Sequence, residues 1–153
     1  MDVEEVKKLG LKLMEESKAA ILTTINTDGF PITRAIFNLR NKNQFPEFSE
    51  IFKNQKNPFT IYISTNTSSS KVTHLSQNPR MCVYFVDAEE FKGFMLGGSA
   101  EIINDMEIKR KIWLDWWTRY YPEGLGDPDY TLLRMEPTNA RFYYKLNQVN
   151  FEI

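Results

Sequence analysis

Apolar residues recur at spacings of three and four through Val3, Val6, Leu9, Leu13 and Met14, with glutamates and lysines between them. That spacing predicts an amphipathic helix over residues 2–17. Gly10 lies inside it and costs a helix about 1 kcal/mol relative to alanine. Ala19 to Ile25 is a short run rich in β-branched residues and predicts a strand. Asn26-Thr27-Asp28-Gly29 follows, and Asp-Gly is a hairpin signal. Pro31 to Leu39 is then the return strand. Period-two alternation puts Ile32, Arg34, Ile36 and Asn38 on one face and Thr33, Ala35, Phe37 and Leu39 on the other. An arginine in the middle of this strand stands out.

Further along, Glu47 to Lys53 predicts a short helical or irregular segment, and Phe59 to Thr65 alternates as a third strand. A polar loop, Asn66 to Ser70, opens a short helix over Lys71–Gln77, which Asn78-Pro79 ends. Arg80 to Asp87 predicts a fourth strand. Phe91 to Ile103 predicts a fifth, broken at Gly97-Gly98, where a bulge or a close backbone approach is expected. Asn104 is placed to cap a long helix with Glu107 as its capping-box partner, running to about Tyr121 before Pro122-Glu123-Gly124. On it, Ile108, Ile112 and Trp116 form one apolar row and Trp113, Trp117 and Tyr120 another. Such rows read as core, or as a helix covered on two sides by a dimer interface. Late strands follow at Tyr130–Met135, Ala140–Tyr144 and Val149–Ile153. Short hairpins in this number predict a mainly β, antiparallel barrel with helices outside it.

The 153 residues are the size of one domain, with roughly 70% of the unfolded surface buried around a single core. The whole chain, 1–153, is therefore read as one domain. Lys plus Arg number 19 and Asp plus Glu 20, a net charge of −1, which gives no chain-wide attraction to nucleic acid or membrane surfaces. Lys109-Arg110-Lys111 reads as a solvated helical face. No apolar stretch approaches a membrane span, and the acidic start Met1-Asp2-Val3-Glu4-Glu5 does not read as a secretory signal. Cys82 and His74 are the single cysteine and histidine. An intrachain disulfide is thereby excluded and a reducing, cytoplasmic compartment expected. A zinc site or a Cys-His nucleophile pair is disfavoured, and no carboxylates have metal-ligand spacing. Cys82 reads as a small buried apolar residue. Aromatic residues make up 14% of the chain, which hints at a flat ligand or an aromatic interface.

The most informative segment is Ser64-Thr65-Asn66-Thr67-Ser68-Ser69-Ser70-Lys71. It joins a strand end to a helix start, where free N–H groups receive an anion. Three serine hydroxyls and a lysine at that point describe a phosphate site. The same residues also fit an ordinary serine cap with a solvated lysine. Arg34 fits either a second cation for that phosphate or an edge-strand arginine in water.

Asp28-Gly29-x-Pro31-x-x-Arg34, Ser64-Thr65-x5-Lys71, His74-Leu75-x-x-Asn78-Pro79-Arg80 and Gly97-x-Ser99-Ala100-Glu101 stand in this order. Together they resemble the pyridoxamine 5′-phosphate oxidase-like superfamily of FMN-binding split barrels. Ile112-Trp113…Tyr121-Pro122-Glu123-Gly124…Asp127-Pro128-Asp129 resembles its general stress protein branch. The resemblance covers about residues 19–137. It implies a six-stranded antiparallel Greek-key split β-barrel with flanking α-helices, and a homodimer with two FMN molecules at its interface. Arg34 and Lys71 would hold the FMN phosphate, with Ser70 beside them. Ala35, Ile36 and Phe37 would run their backbone along the flavin edge, and Ser64 and Thr65 would meet the ribityl chain or phosphate. Trp113 would reach the flavin from the partner subunit. An FMN-dependent oxidoreductase acting on a small molecule is implied. The alternatives are a non-catalytic flavin sensor or store, or a barrel that binds haem or a deazaflavin.

Two features depart from the larger oxidases. Their flavin-contacting glutamine falls here at about Gly93. Their substrate-binding arginine-histidine segment has no counterpart, because no histidine follows His74. Oxidation of pyridoxamine phosphate is therefore not expected.

Overall fold

A computed structural model describes residues 1–153. Helix α1 spans Val3–Glu16, with the Asp2 side chain accepting the Glu5 N–H at its start. Its apolar stripe buries Val6, Leu13 and Met14. Gly10 is not a weakness here but a point of closest approach: a Cβ at that position would fall 2.7 Å from the ring of Phe94. The end of α1 is tied down by side chains far along the chain. Asn38 donates to the carbonyls of Met14 and Ser17, and Asn41 to that of Ser17.

Strands β1 (Ala19–Ile25) and β2 (Pro31–Phe37) form the expected hairpin. β2 stops two residues earlier than its alternation predicts, because Asn38 leaves the ladder to bind the end of α1. Next come a 3-10 turn over Pro46–Phe48, helix α2 (Ser49–Lys53), strand β3 (Ile61–Asn66) and helix α3 (Ser70–Gln77). Strands β4 (Arg80–Asp87) and β5 (Lys92–Ile103) follow, then helix α4 (Met106–Lys111). Two more 3-10 turns, Asp115–Arg119 and Gly124–Gly126, lead into β6 (Tyr130–Met135), β7 (Asn139–Tyr144) and β8 (Asn147–Glu152).

All pairings are antiparallel. Six strands form one curled path in the order β2-β1-β4-β5-β6-β3, and the β7-β8 hairpin adds to β5. The fold is a split barrel, mainly β, with helices at its flanks. Its two end strands, β2 and β3, approach each other across the split. Gly97-Gly98 does not break β5. It marks where the strand changes partners, pairing β7 over 93–97 and β6 over 100–103. A Cβ at Gly98 would lie 3.0 Å from the Glu136 carbonyl, where the chain crosses from β6 to β7.

Two cores form where one was expected. The first fills the barrel, with Leu22, Val83, Leu96, Leu133 and Phe142 at its centre and α1 closing it. The second lies on the outside of β3 and β6, and gathers Phe45, Phe48, Tyr62, Ile112, Trp117, Tyr121, Tyr130 and Leu132. β3 and β6 are thus buried on both faces, with Tyr62 against one core and Ile63 against the other.

The second core also rewrites the predicted long helix. Helix α4 ends at Lys111, the chain kinks at Ile112, and a 3-10 turn resumes at Asp115. The Ile112 carbonyl accepts the Tyr130 hydroxyl at 2.6 Å, which takes it out of any helical ladder. The N-cap is Asp105 rather than Asn104, with its carboxylate accepting the Glu107 N–H. Trp117 is fully buried as expected of core, whereas Trp116 is 46% exposed. Cys82 is half-buried on the outer face of β4, not in the barrel. No helix is long and apolar enough to cross a membrane.

Candidate functional site

A cavity of about 520 Å³ opens at the split, between the edges of β2 and β3. This is the size of an ordinary small-molecule site. Six of the residues singled out in the sequence line it: Ala35, Ile36 and Phe37 from β2, Ser64 and Thr65 from β3, and Lys71 from the first turn of α3. Because β2 ends the strand path, one line of its backbone groups has no strand partner and faces the opening. Ser70 sits next to Lys71, exposed at the start of α3.

Arg34 is one residue along β2 from the lining. Its register partner is Leu22, so its side chain leaves on the barrel side of the strand. There Nη1 donates to Thr24 Oγ1 at 2.8 Å and to the Ile32 carbonyl at 3.0 Å. Thr24 is fully buried, and its hydroxyl lies 2.9 Å from His74 Nδ1. With Oγ1 accepting from Arg34, the hydroxyl hydrogen is free for His74. The histidine therefore braces the arginine from α3 rather than facing solvent. The other terminal nitrogen, Arg34 Nη2, is buried with no partner. A buried guanidinium donor left unbonded is costly unless a ligand takes it.

Lys71 stands near enough to Arg34 to feel its charge. Burial first, and then Arg34, hold the Lys71 ammonium below the usual lysine range. Burial lowers Arg34 as well. Two like charges this close together are an unfavourable arrangement that a bound anion reverses. Nor is α3 capped in the ordinary way, since the side chain of its N-cap residue, Ser69, makes no capping hydrogen bond. The simple serine-cap reading therefore fails.

Ser68 differs from expectation. Its N–H and hydroxyl both donate to the carboxylate of Asp129, at 2.8 and 3.2 Å, and so do not point at an anion. Asp129 also accepts from Asn66 Nδ2 at 2.7 Å. These hydrogen bonds, that of Asn66 first, hold its carboxyl below the usual range. Asp129 thus fixes the loop that delivers Ser70 and Lys71. Nothing near Ser68 in sequence signals a partner on the approach to β6.

Asn66, inside the Ser64–Lys71 segment, completes the lining with Tyr120, Tyr121, Lys18, Ala19 and Gln44, which sequence reasoning missed as contacts. Burial pushes the Tyr121 hydroxyl up to about 12. Ala19 was findable, since it pairs directly with Phe37. Trp113 is not brought to the cavity of its own chain. It is half-buried against the rings of Tyr130, Tyr121 and Trp117, at 5.3, 6.0 and 6.0 Å. Gly93, at or next to the glutamine position of the larger oxidases, is covered by the end of the Tyr84 side chain, which would have to move aside for a larger residue. A Cβ there would fall 1.8 Å from the Tyr84 hydroxyl.

The model of the family described as "Pyridoxamine 5'-phosphate oxidase" matches residues 7–144. Among solved structures, the chain is similar to a Clostridium acetobutylicum protein related to general stress protein 26 of Bacillus subtilis, of the pyridoxinephosphate oxidase family. That match has 31% identity and a TM-score of 0.77, and covers 100% of this chain and 97% of the other. General stress protein 26 from Bacillus anthracis shares the fold at 18% identity and a TM-score of 0.70, covering 96% of this chain and 99% of that one. A haem-binding protein from Mycobacterium smegmatis shares it at 13% identity and a TM-score of 0.65, covering 94% of this chain and 57% of that one. No curated protein matches the chain at the same stringency.

Proposed function

The chain belongs to the pyridoxamine 5′-phosphate oxidase family, and from that membership we propose that it holds FMN at the split and serves as an FMN-dependent oxidoreductase on a small molecule. The carrying observation is the pair Arg34 and Lys71. Lys71 lines the cavity, Arg34 stands close enough behind it to depress its ammonium, and no acidic residue lines the cavity. A phosphate dianion supplies what both lack. When bound, FMN provides hydride and single-electron transfer at its ring. The protein's part is placement. Arg34, Lys71 and Ser70 neutralise and bond the phosphate. Ser64 and Thr65 meet the ribityl chain. The open backbone edge of Ala35, Ile36 and Phe37 lies along the ring.

A homodimer with FMN at its interface completes this reading. On the outer face of the sheet, Ala35, Ile21, Tyr84 and Met95 form one register row. Tyr84 is 37% exposed. An uncovered row of this kind is the pattern of an association surface, and Trp113 approaches the flavin across it. The purified protein is then expected to sediment at about twice its 18.0 kDa chain mass. A monomer that still binds FMN stoichiometrically would refute the shared site. The cytoplasmic assignment rests on the unpaired Cys82, and a role in stress on the names of the relatives.

The test is a titration with FMN, read by absorption, followed by an assay of NADH and NADPH oxidation. One flavin per chain with turnover supports the enzyme; flavin without turnover makes it a sensor or store. Haem, bound by one structural neighbour, would show in the same spectrum. The cavity lining has no histidine, cysteine or methionine to offer its iron, only the hydroxyls of Tyr120 and Tyr121, of which burial holds that of Tyr121 protonated. A haem spectrum, or no affinity for FMN, overturns the proposal.

The only histidine, His74, is engaged with Thr24. Oxidation of pyridoxamine or pyridoxine phosphate is therefore expected to stay far below an ordinary enzymatic rate of roughly 1–1000 per second. Steady-state turnover with either substrate checks this.

A further inference from the structure

Arg40, in the loop after β2, is only 8% exposed. Its Nε donates to the Thr60 carbonyl at 3.1 Å, and Nη2 to the carbonyls of Thr60, at 2.8 Å, and Pro58. The guanidinium also lies over the Phe52 ring, 4.4 Å from its centroid. All of these partners are uncharged, so a cation is buried here with no carboxylate bonded to it. Burial pushes its pKa down to about 10, against the opposing pull of Glu15. A charge taken out of water without a partner is strongly unfavourable, and a neutral amide would hold the same carbonyls without that penalty. The remaining nitrogen, Nη1, donates to no protein atom, yet the protein does not seal it off. Arg40 lines a cavity of about 170 Å³ between α1, the loop after β2 and α2. This cavity shares no residue with the lining of the one at the split. Lys42 and Lys53 line it too, against a single acid, Glu15, which Lys42 holds at 2.8 Å. Lys53 pairs only with Glu50, outside the lining, in an exposed contact along α2 at 3.2 Å. Such a pair is weak and easily exchanged.

We propose that this cavity is a second anion site, which takes one phosphate group between Arg40 Nη1, the Lys53 ammonium and the Ser49 hydroxyl. The anion supplies the charge that Arg40 lacks, through hydrogen bonds strengthened by charge on both sides. It also joins α2, which carries Ser49 and Lys53, to the loop after β2. The volume falls below the roughly 300–1,000 Å³ of pockets that enclose a whole cofactor or drug-sized ligand. The occupant is therefore a single phosphate group, either the free ion or the end of a phosphate ester. The site does not depend on the flavin reading, since Arg34 and Lys71 take no part in it.

The experiment is a nitrogen-15 NMR titration of the protein, with and without FMN, using inorganic phosphate, phenyl phosphate and chloride at constant ionic strength. Phosphate is expected to move the Arg40 Nε–H signal and the Ser49 and Lys53 amides, whether or not FMN is present. Arg40 and Lys71 report separately, so failure to take up FMN would count against the flavin reading and not against this site. Lys53→Ala should weaken phosphate roughly 2- to 5-fold and leave FMN affinity unchanged. Arg40→Gln should weaken phosphate roughly 10- to 150-fold. If that variant does not fold, the wild-type signals and Lys53→Ala still decide. Phenyl phosphate binding as tightly as phosphate supports the site as a receptor for an ester, and its exclusion supports the free ion. No response at Arg40, an equal response to chloride, or full phosphate affinity in Lys53→Ala overturns the proposal and leaves Arg40 as a clamp on the Pro58–Thr60 backbone.

Discussion

Lys71→Ala and Arg34→Ala are each expected to weaken FMN binding by roughly 10- to 150-fold, while riboflavin affinity hardly changes. Each removes hydrogen bonds to a charged phosphate, worth about 1.5–3 kcal/mol apiece, and about 1.4 kcal/mol is one factor of ten. Riboflavin lacks the phosphate, so the same cations have nothing to bind on it. Neither variant should abolish binding alone, because the other cation, Ser70 and the uncapped start of α3 remain. The two differ in one respect. Arg34 also bonds Thr24 and the Ile32 carbonyl, so Arg34→Ala should loosen the β2 edge slightly, whereas Lys71→Ala should not. Wild-type FMN affinity should also fall as pH rises through the lysine titration, which burial and Arg34 have moved below its usual range. Parallel titration of FMN and riboflavin against the three proteins decides the matter. Equal losses for both ligands would assign these cations to the ring or the fold, and no loss for either would remove the phosphate assignment.

Arg34 and Lys71 stand out in the sequence for a physical reason. A permanent charge among Ala35, Ile36 and Phe37 needs a reason within a few residues of itself, and so does a lysine behind three serines. The strands were legible for a similar reason. Each is a short β-branched or alternating run between turn residues, and the local period is enough to place β1, β4 and β6. What local patterning does not carry is partnership across the chain. Ser68 looked like an anion donor because its real partner, Asp129, is sixty-one residues away. Asn38 looked like the next residue of a strand because the carbonyls it binds are in α1. Gly97-Gly98 looked like a break because a change of neighbour, from β7 to β6, leaves the strand itself continuous. Tyr120 and Tyr121 were assigned to a helix, and so never to the cavity wall, because the rows through Ile112 and Trp116 satisfy a helical period on paper. In the folded chain the tyrosine hydroxyl from β6 takes the Ile112 carbonyl and the helix ends there, leaving Trp117 buried and Trp116 exposed.

Trp117→Ala is expected to be the most destabilising single substitution outside the barrel, by about 3–5 kcal/mol. The ring is fully buried and touches Phe48, Trp113, Trp116 and Tyr130, with centroids 5.9 to 6.4 Å away. It joins the Pro46–Phe48 turn, the Asp115–Arg119 turn and β6 in one cluster. Backbone bonds to its carbonyl from Tyr120 and Tyr121 close the turn that presents those two tyrosines to the cavity. Loss of the ring should therefore weaken FMN as well as the fold, although Trp117 touches no part of the cavity. Trp117→Phe separates the two roles of the side chain. The indole Nε1 is buried with no partner, and an unsatisfied donor of that kind costs about 1–3 kcal/mol. Phenylalanine deletes that donor while keeping most of the ring, so its cost should be well under half that of alanine, with FMN affinity close to wild type. Urea denaturation of the three proteins, with FMN titration of each, gives the comparison. If phenylalanine proved as costly as alanine, the indole nitrogen would have to be bonded in solution and the second core would be held by that bond rather than by ring packing.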